Sequence, residues 1–248
     1  MSAPVLEARG LTKSFGGVRA TREVSFAIAP GTVHAIIGPN GAGKTTLIAQ
    51  LFGELASDAG RVVFEGRDIT HLPPHRRARA GLSRSFQTTT LAPDMTVADH
   101  IALRLLAERG HAFRFVKATA RDEALLAQTA DVLAAHGLAE RAHVPVADLS
   151  HGEQRALELA LAIAVAPKLL LLDEPMAGLG PGEGHAFIDR LSALKGRFAI
   201  LLVEHDMGAV FELADTITVL VEGAVAAAGT PAEIRADPHV KRIYLGEE

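Results

Sequence analysis

Cysteine is absent from all 248 residues, which excludes disulfides and thiolate metal sites and fits a reducing compartment. No apolar run is long enough to cross a bilayer. The most apolar stretch, Leu159 to Leu172, is broken by Pro167 and Lys168 and falls short of the roughly 20 residues required. Glu7, Arg9 and Lys13 interrupt any apolar run near the amino terminus, so no secretory signal is drawn there. The expected place is the cytoplasm, with any membrane association peripheral. Excess positive charge is lacking as well. A formal net charge of −4 and a sequence pI near 6.3 do not make the electrostatic footprint of a nucleic-acid binder, and no nucleic-acid partner is expected. The run His75-Arg76-Arg77-Ala78-Arg79 goes against this balance and reads as a solvated helix face. Repeats, low-complexity segments and coiled-coil heptads are missing too.

What is present begins with Gly38-Pro39-Asn40-Gly41-Ala42-Gly43-Lys44-Thr45-Thr46. It follows the apolar segment Val33 to Ile37 and leads into a helix-forming stretch from Leu47. The pattern G-x-x-x-x-G-K-T between a strand and a helix is a phosphate loop. Its glycines let the backbone curl so that several amides and the positive end of the next helix point at one anion. Lys44 is placed to reach the β- and γ-phosphates, Thr45 to ligate a bridging Mg²⁺, and Thr46 to donate to an α-phosphate oxygen. The chain is therefore expected to bind a nucleoside triphosphate with Mg²⁺, with Asn40, Gly41, Ala42, Gly43, Lys44, Thr45 and Thr46 around it; which nucleotide, the motif does not say.

Short β-rich runs fill the first ninety residues: Val5 to Ala8, Val24 to Ile28, Val33 to Ile37, Arg61 to Phe64 and Leu82 to Phe86. Thr96 to Leu138 changes to alanine, leucine and scattered charge at helical spacing, interrupted around Gly110 to Phe115. Beyond Leu149 helices alternate with buried-strand candidates at Leu169 to Leu172, Ala199 to Val203 and Thr216 to Val221. The expected fold is α/β, with a mainly parallel sheet, an added antiparallel β layer and an inserted α-helical subdomain. The core is expected over 1–90 and 156–248, and the helical subdomain over 91–155.

Leu169-Leu170-Leu171-Leu172 runs straight into Asp173-Glu174, which puts two carboxylates at the end of a buried strand, where the metal of a phosphate loop would lie. Asp173 suits Mg²⁺, and Glu174 suits a base for the water that attacks the γ-phosphate. The competing reading, a helix cap ahead of Pro175, is opposed by the four leucines. Ser150 with Glu153 three residues on makes a capping box ahead of a long helix.

Taken together, these motifs closely resemble the ATP-binding cassette (ABC) family, with Leu149-Ser150-His151-Gly152-Glu153-Gln154-Arg155 in the place of its Leu-Ser-Gly-Gly-Gln signature. The family has a RecA-like core with a phosphate loop. The resemblance implies that Phe15 stacks on adenine, though by itself the residue equally fits core packing. It further implies that Gln87 senses Mg²⁺ and the attacking water, and that His205 contacts the γ-phosphate. Lys44, Gln87, Glu174 and His205 are then the catalytic set, and Thr45, Gln87 and Asp173 the metal set. Ser150, Gly152 and Glu153 meet the nucleotide of a second ATP-binding subunit, a paralogue or another copy. His151 replaces the first signature glycine, Glu153 the usual glutamine, and Gly180 an aspartate found in many relatives.

Three segments narrow the resemblance to the ATP-binding subunits of branched-chain (hydrophobic) amino acid importers: Gly81 to Gln87, Asp173 to Pro181, and Gly229 to Glu247. That group implies ATP hydrolysis coupled to transport, two membrane permease partners and, indirectly, an external substrate-binding protein. The chain would then lie on the cytoplasmic face of the cell membrane. Two alternatives stand beside it: a lipopolysaccharide-export ATPase, which shares the carboxyl-terminal segment, and a soluble ABC ATPase acting on ribosomes or nucleic acid.

Overall fold

In a computed structural model, residues 3–84, 91–108 and 122–245 are described, and their contacts divide them into two units. The first draws on Met1–Arg84, Lys168–Pro175 and Ile188–Glu248, the second on Ser85–Pro167 and Met176–Phe187.

The first unit holds two sheets. Strands β1 (Leu6–Phe15), β2 (Val18–Ile28), β4 (Ala59–Phe64) and β5 (Arg67–Asp68) form an antiparallel sheet in the order β2-β1-β4-β5. The second sheet runs β10-β9-β3-β8-β7-β6, from β3 (Val33–Ile37), β6 (Leu82–Arg84), β7 (Leu169–Asp173), β8 (Ala199–Val203), β9 (Thr216–Val221) and β10 (Ala224–Gly229). All its pairings are parallel except β9 with β10. Both the antiparallel layer and the mainly parallel sheet thus match the sequence reading.

Helix α1 (Lys44–Phe52) helps explain why β3 is buried throughout and apolar at every position but His34. Ile36 packs with Leu47, Ile48 and Leu51 of α1 and with Leu6 and Leu11 of β1, while Ala35 and Ile37 pack on the opposite face with Val210, Ile217 and Ile234. A strand covered on both faces has no polar side to show. Each of the three buried α1 side chains contributes about 1.5–3 kcal/mol by leaving water.

The run at 75–79 is not a uniformly solvated face. It lies in α2 (Pro74–Arg79), where Arg77 is buried. Its guanidinium donates to the carbonyl oxygens of Gln50, Leu51, Thr70 and Leu72. The local charge pattern could not reveal that these carbonyls converge on one side chain.

In the second unit, α3 (Val97–Glu108), α4 (Glu123–Ala135) and α5 (His151–Ile163) share a core of Val97, Ile101, Leu125, Leu133, Leu157 and Ala160. Because α5 buries its apolar stripe there, this unit takes in 156–167, and also 176–187, beyond the span expected from sequence. Among the described residues no helix is long and apolar enough to cross a membrane.

Candidate functional site

The phosphate loop leaves the carboxyl end of β3 and turns directly into α1, three residues before the helix expected from sequence. Gly41 and Gly43 take φ of 81° and 98°, a left-handed conformation in which a side chain is strained. At Gly43 the space is closed as well, since a Cβ there would overlap the carbonyl oxygen of Ala20. Within the loop the Ala42 amide donates to Pro39 O at 3.1 Å. Lys44 Nζ reaches back to the carbonyl oxygens of Gly38 at 2.7 Å and Pro39 at 3.1 Å. Burial pulls the Lys44 pKa below the ordinary lysine value, and Glu174 and Asp173 pull the other way.

Asp173 ends β7 and is buried, so the Asp-Glu pair closes a strand and caps no helix. Burial raises the Asp173 carboxyl pKa above the usual carboxylate range, the Arg84 guanidinium opposes that rise, and the neighbouring Glu174 adds to it. Glu174 itself adopts φ of 48°, an uncommon conformation for a residue with a side chain. It is held there by its amide, which donates to Val203 O at 2.8 Å. His205 follows β8, the strand lying between β3 and β7. Its imidazole is largely exposed, and its amide donates to the buried Glu204 carboxylate at 3.1 Å.

Neighbouring parallel strands therefore deliver Lys44, Asp173, Glu174 and His205 at their carboxyl ends, which is where open α/β sheets bind ligands. A cavity of about 500 Å³ opens over the loop, lined by residues 40–46 and Glu174 and, from the antiparallel sheet, by Val18, Arg19 and Arg22. Asn40 to Thr46 thus all face it. Phe15 pairs with Val18 at the β1–β2 turn and is half exposed, so it is not core packing. Lys13 Nζ lies 5.7 Å from the centre of the Phe15 ring.

The signature residues belong to the second unit. Ser150 Oγ accepts from the Glu153 amide at 3.2 Å while the Ser150 amide donates to Glu153 Oε2 at 2.9 Å, completing the capping box read from sequence. Glu153 also takes Arg141 Nε at 2.6 Å. The Ser150 amide, foremost, and Arg141 hold its carboxyl pKa below the ordinary glutamate value against the opposing effect of burial. Gly152 donates its amide to Glu183 Oε1 at 3.1 Å, and Gly180 donates to Glu183 Oε2 at 3.3 Å. A Cβ at Gly152 would stand 2.7 Å from Glu183 Oε1. The Gly152 amide in the first turn of α5 is thus met by the Glu183 carboxylate, and the amide of the capping Ser150 by that of Glu153, both of the same unit. Gln87 lies outside the described residues.

Among the described residues no group of three or more histidine, aspartate or glutamate side chains could hold a metal alone. What the first unit offers is the exposed Thr45 hydroxyl and the buried Asp173 carboxylate. These are hard oxygen donors, suited to Mg²⁺ that keeps phosphate oxygens and water as its remaining ligands.

Sequence reasoning missed Arg84 and the basic pair Arg19 and Arg22. The first stood inside the Gly81 to Gln87 segment with nothing to mark it, and the pair is brought to the loop by the antiparallel layer, which no local pattern announces.

Residues 21–177 match the ABC transporter family, and residues 224–248 match the family of branched-chain amino acid ATP-binding cassette transporters. The chain is 37% identical to the high-affinity branched-chain amino acid transport ATP-binding protein BraF of Pseudomonas aeruginosa, covering 100% of both chains. It is likewise 37% identical to the protein of the same description, LivG, of Escherichia coli, again over 100% of both. A probable branched-chain amino acid transport ATP-binding protein of Archaeoglobus fulgidus is 34% identical over 98% of this chain and 96% of its own. Among solved structures, the chain is similar to an ATP-binding cassette of an ABC transporter in its ADP conformation, with a TM-score of 0.88, 30% identity and coverage of 99% and 100%. A nucleotide-free ATP-binding cassette gives a TM-score of 0.87 at 30% identity over 99% and 100%.

Proposed function

The chain belongs to the ABC transporter family, and on that premise we propose that it is the ATP-binding and hydrolysing subunit powering import of branched-chain or related amino acids through membrane permeases. The observation that carries the transport reading is likeness along the whole length. Relatives described as branched-chain amino acid transport proteins align end to end with the chain, and residues 224–248 separately match that group. None of the relatives named above is described as an exporter or as acting on ribosomes or nucleic acid.

The chemistry follows from the first unit. Loop amides and Lys44 receive the phosphates of ATP in place of water. Lys44 gives up its contacts with the Gly38 and Pro39 carbonyls for stronger, charge-assisted ones. Thr45 and Asp173, with Gln87, would hold Mg²⁺, which neutralises phosphate charge when bound. Glu174 takes a proton from the water that attacks the γ-phosphorus, the bond to the β-phosphate oxygen breaks, and ADP and inorganic phosphate leave. His205 contacts the γ-phosphate, and Phe15, exposed beside Val18, stacks on adenine.

A second ATP-binding subunit, a paralogue or another copy, completes each site in trans through Ser150, Gly152 and Glu153. ATP binding closes the pair, the helical unit passes the movement to the permeases on the cytoplasmic face of the cell membrane, and hydrolysis resets it. An external binding protein hands over the cargo.

The test is affinity capture of the tagged Glu174→Gln variant with ATP from gently solubilised membranes. Two multi-span permeases with a second ATP-binding subunit are expected. Ribosomal or purely soluble partners would overturn the transport reading, and permeases that move lipopolysaccharide would overturn import.

A further inference from the structure

Arg84 closes the edge strand β6 and pairs in register with Leu171 of β7. Residues 171 and 173 lie on one face of their strand, so Arg84 projects on the face that carries Asp173. Its Nη2 donates to Asp173 Oδ2 at 3.3 Å, and its Nη1 is paired with the Glu54 carboxylate. The guanidinium carbon stands 6.0 Å from the ring centre of Phe52. The Arg84 and Asp173 side chains are only 8% and 1% exposed, whereas Glu54 is 37% exposed. Phe52 ends α1, and Glu54 follows the glycine that caps it. One planar cation therefore joins the buried carboxylate at the end of β7 to the far end of the phosphate-binding helix.

An ion pair this deeply buried is a poor device for stability, because desolvating both charges offsets their attraction and an apolar pair would pack as well. It is a good device for orientation, since a planar guanidinium anchored on one nitrogen by Glu54 aims its other nitrogen at one oxygen of Asp173, a direction that a lysine's point charge does not fix. We infer that Arg84 is a positioning residue for the metal step, engaging Oδ2 of Asp173 so that Oδ1 is presented to the Mg²⁺ of Mg²⁺-ATP. Glu54 and Phe52 hold the guanidinium in turn, so the carboxylate and the helix that receives the phosphates keep a fixed relation.

This role rests on the ATPase reading, and the experiment separates the two. Equilibrium binding of a slowly hydrolysed ATP analogue is titrated with Mg²⁺ for the wild type, Arg84→Met and Arg84→Lys, and repeated in EDTA. The Mg²⁺ concentration for half-maximal binding is expected to rise about 10-fold or more in Arg84→Met, as for other residues that orient metal ligands. Arg84→Lys is expected to fall between, and binding in EDTA to stay unchanged. A folded Arg84→Met with wild-type metal dependence overturns the inference, as does an equal loss with and without Mg²⁺, which marks a packing role. Should Arg84→Met fail to fold, Arg84→Gln is read by the same criteria. A wild-type protein that binds no analogue under any condition overturns the ATPase reading along with it.

Discussion

Arg77 Nη1 donates to the main-chain oxygen of Leu51 at 2.6 Å and to that of Gln50 at 2.9 Å, so a buried cation caps the carboxyl end of α1, the helix that the glycine-rich loop leads into. This is the favourable end of the helix dipole for positive charge. Burial, partly opposed by Asp68, lowers the Arg77 pKa to about 10, which leaves the side chain charged at neutral pH. Arg77→Met is expected to destabilise the fold by about 2–4 kcal/mol, since hydrogen bonds to a charged donor are lost and buried carbonyls are left without it. Arg77→Lys recovers only part of this, because one ammonium cannot reach carbonyls spread around a planar fork. Urea unfolding of the three proteins measures it, and a loss under 0.5 kcal/mol would mark a surface-like residue.

Gly43→Ala places a methyl group against the Ala20 carbonyl while keeping φ near 98°. Strain of about 1–3 kcal/mol is expected to displace the loop, so ATP binding measured by calorimetry is lost while the circular dichroism of the fold is retained. Near wild-type affinity in this variant would mean that the loop does not need its observed conformation.

Lys44→Ala and Glu174→Gln separate binding from turnover. Lys44→Ala is expected to weaken both. Glu174→Gln keeps ATP affinity but loses about 100-fold or more in hydrolysis, the usual contribution of a positioned base. Steady-state phosphate release decides this, and near-normal turnover in Glu174→Gln rules Glu174 out as the base.

His34 gives stability a specific pH dependence. It is buried in β3 between the hydroxyls of Thr216 at 2.8 Å and Thr218 at 2.9 Å and stacks on Phe26. Desolvation lowers its pKa from 6.5 to about 4. The depressed value means that the unfolded chain takes up the proton first as pH falls. The stability contribution is therefore whole above pH 6.5, is lost progressively between 6.5 and about 4, and is gone below. The difference corresponds to about 3 kcal/mol. Denaturation midpoints followed from pH 7.5 to 4.5 should fall less steeply in His34→Gln than in the wild type. Parallel slopes would show that His34 titrates alike in both states.

Legibility in the sequence tracked how local the governing interaction is. The phosphate loop, the four leucines ahead of Asp173 and the Ser150–Glu153 capping box depend on residues a few positions apart, so the pattern that forms the structure is visible in the string. β10 was missed because Ala224-Val225-Ala226-Ala227-Ala228-Gly229 has helix-forming alanines. It becomes a strand by pairing antiparallel with β9, a tertiary override of weak propensity. Arg77 was misread for the same reason, as the carbonyls that bury it come from residues 50, 51, 70 and 72.

The sequence by itself determined the family, the α/β class and the residue types of the phosphate site, because alternation of apolar runs and short glycine-rich motifs encode those within a few residues. Only the tertiary structure decided which charges are buried or bound and what they hold: Arg84 between Asp173 and Glu54, Arg77 under α1, and Glu183 against the Gly152 amide of α5. The physical reason is that desolvation and ion pairing depend on distance in space, and strands or loops separated by tens of residues set those distances only once the sheets and helices have packed.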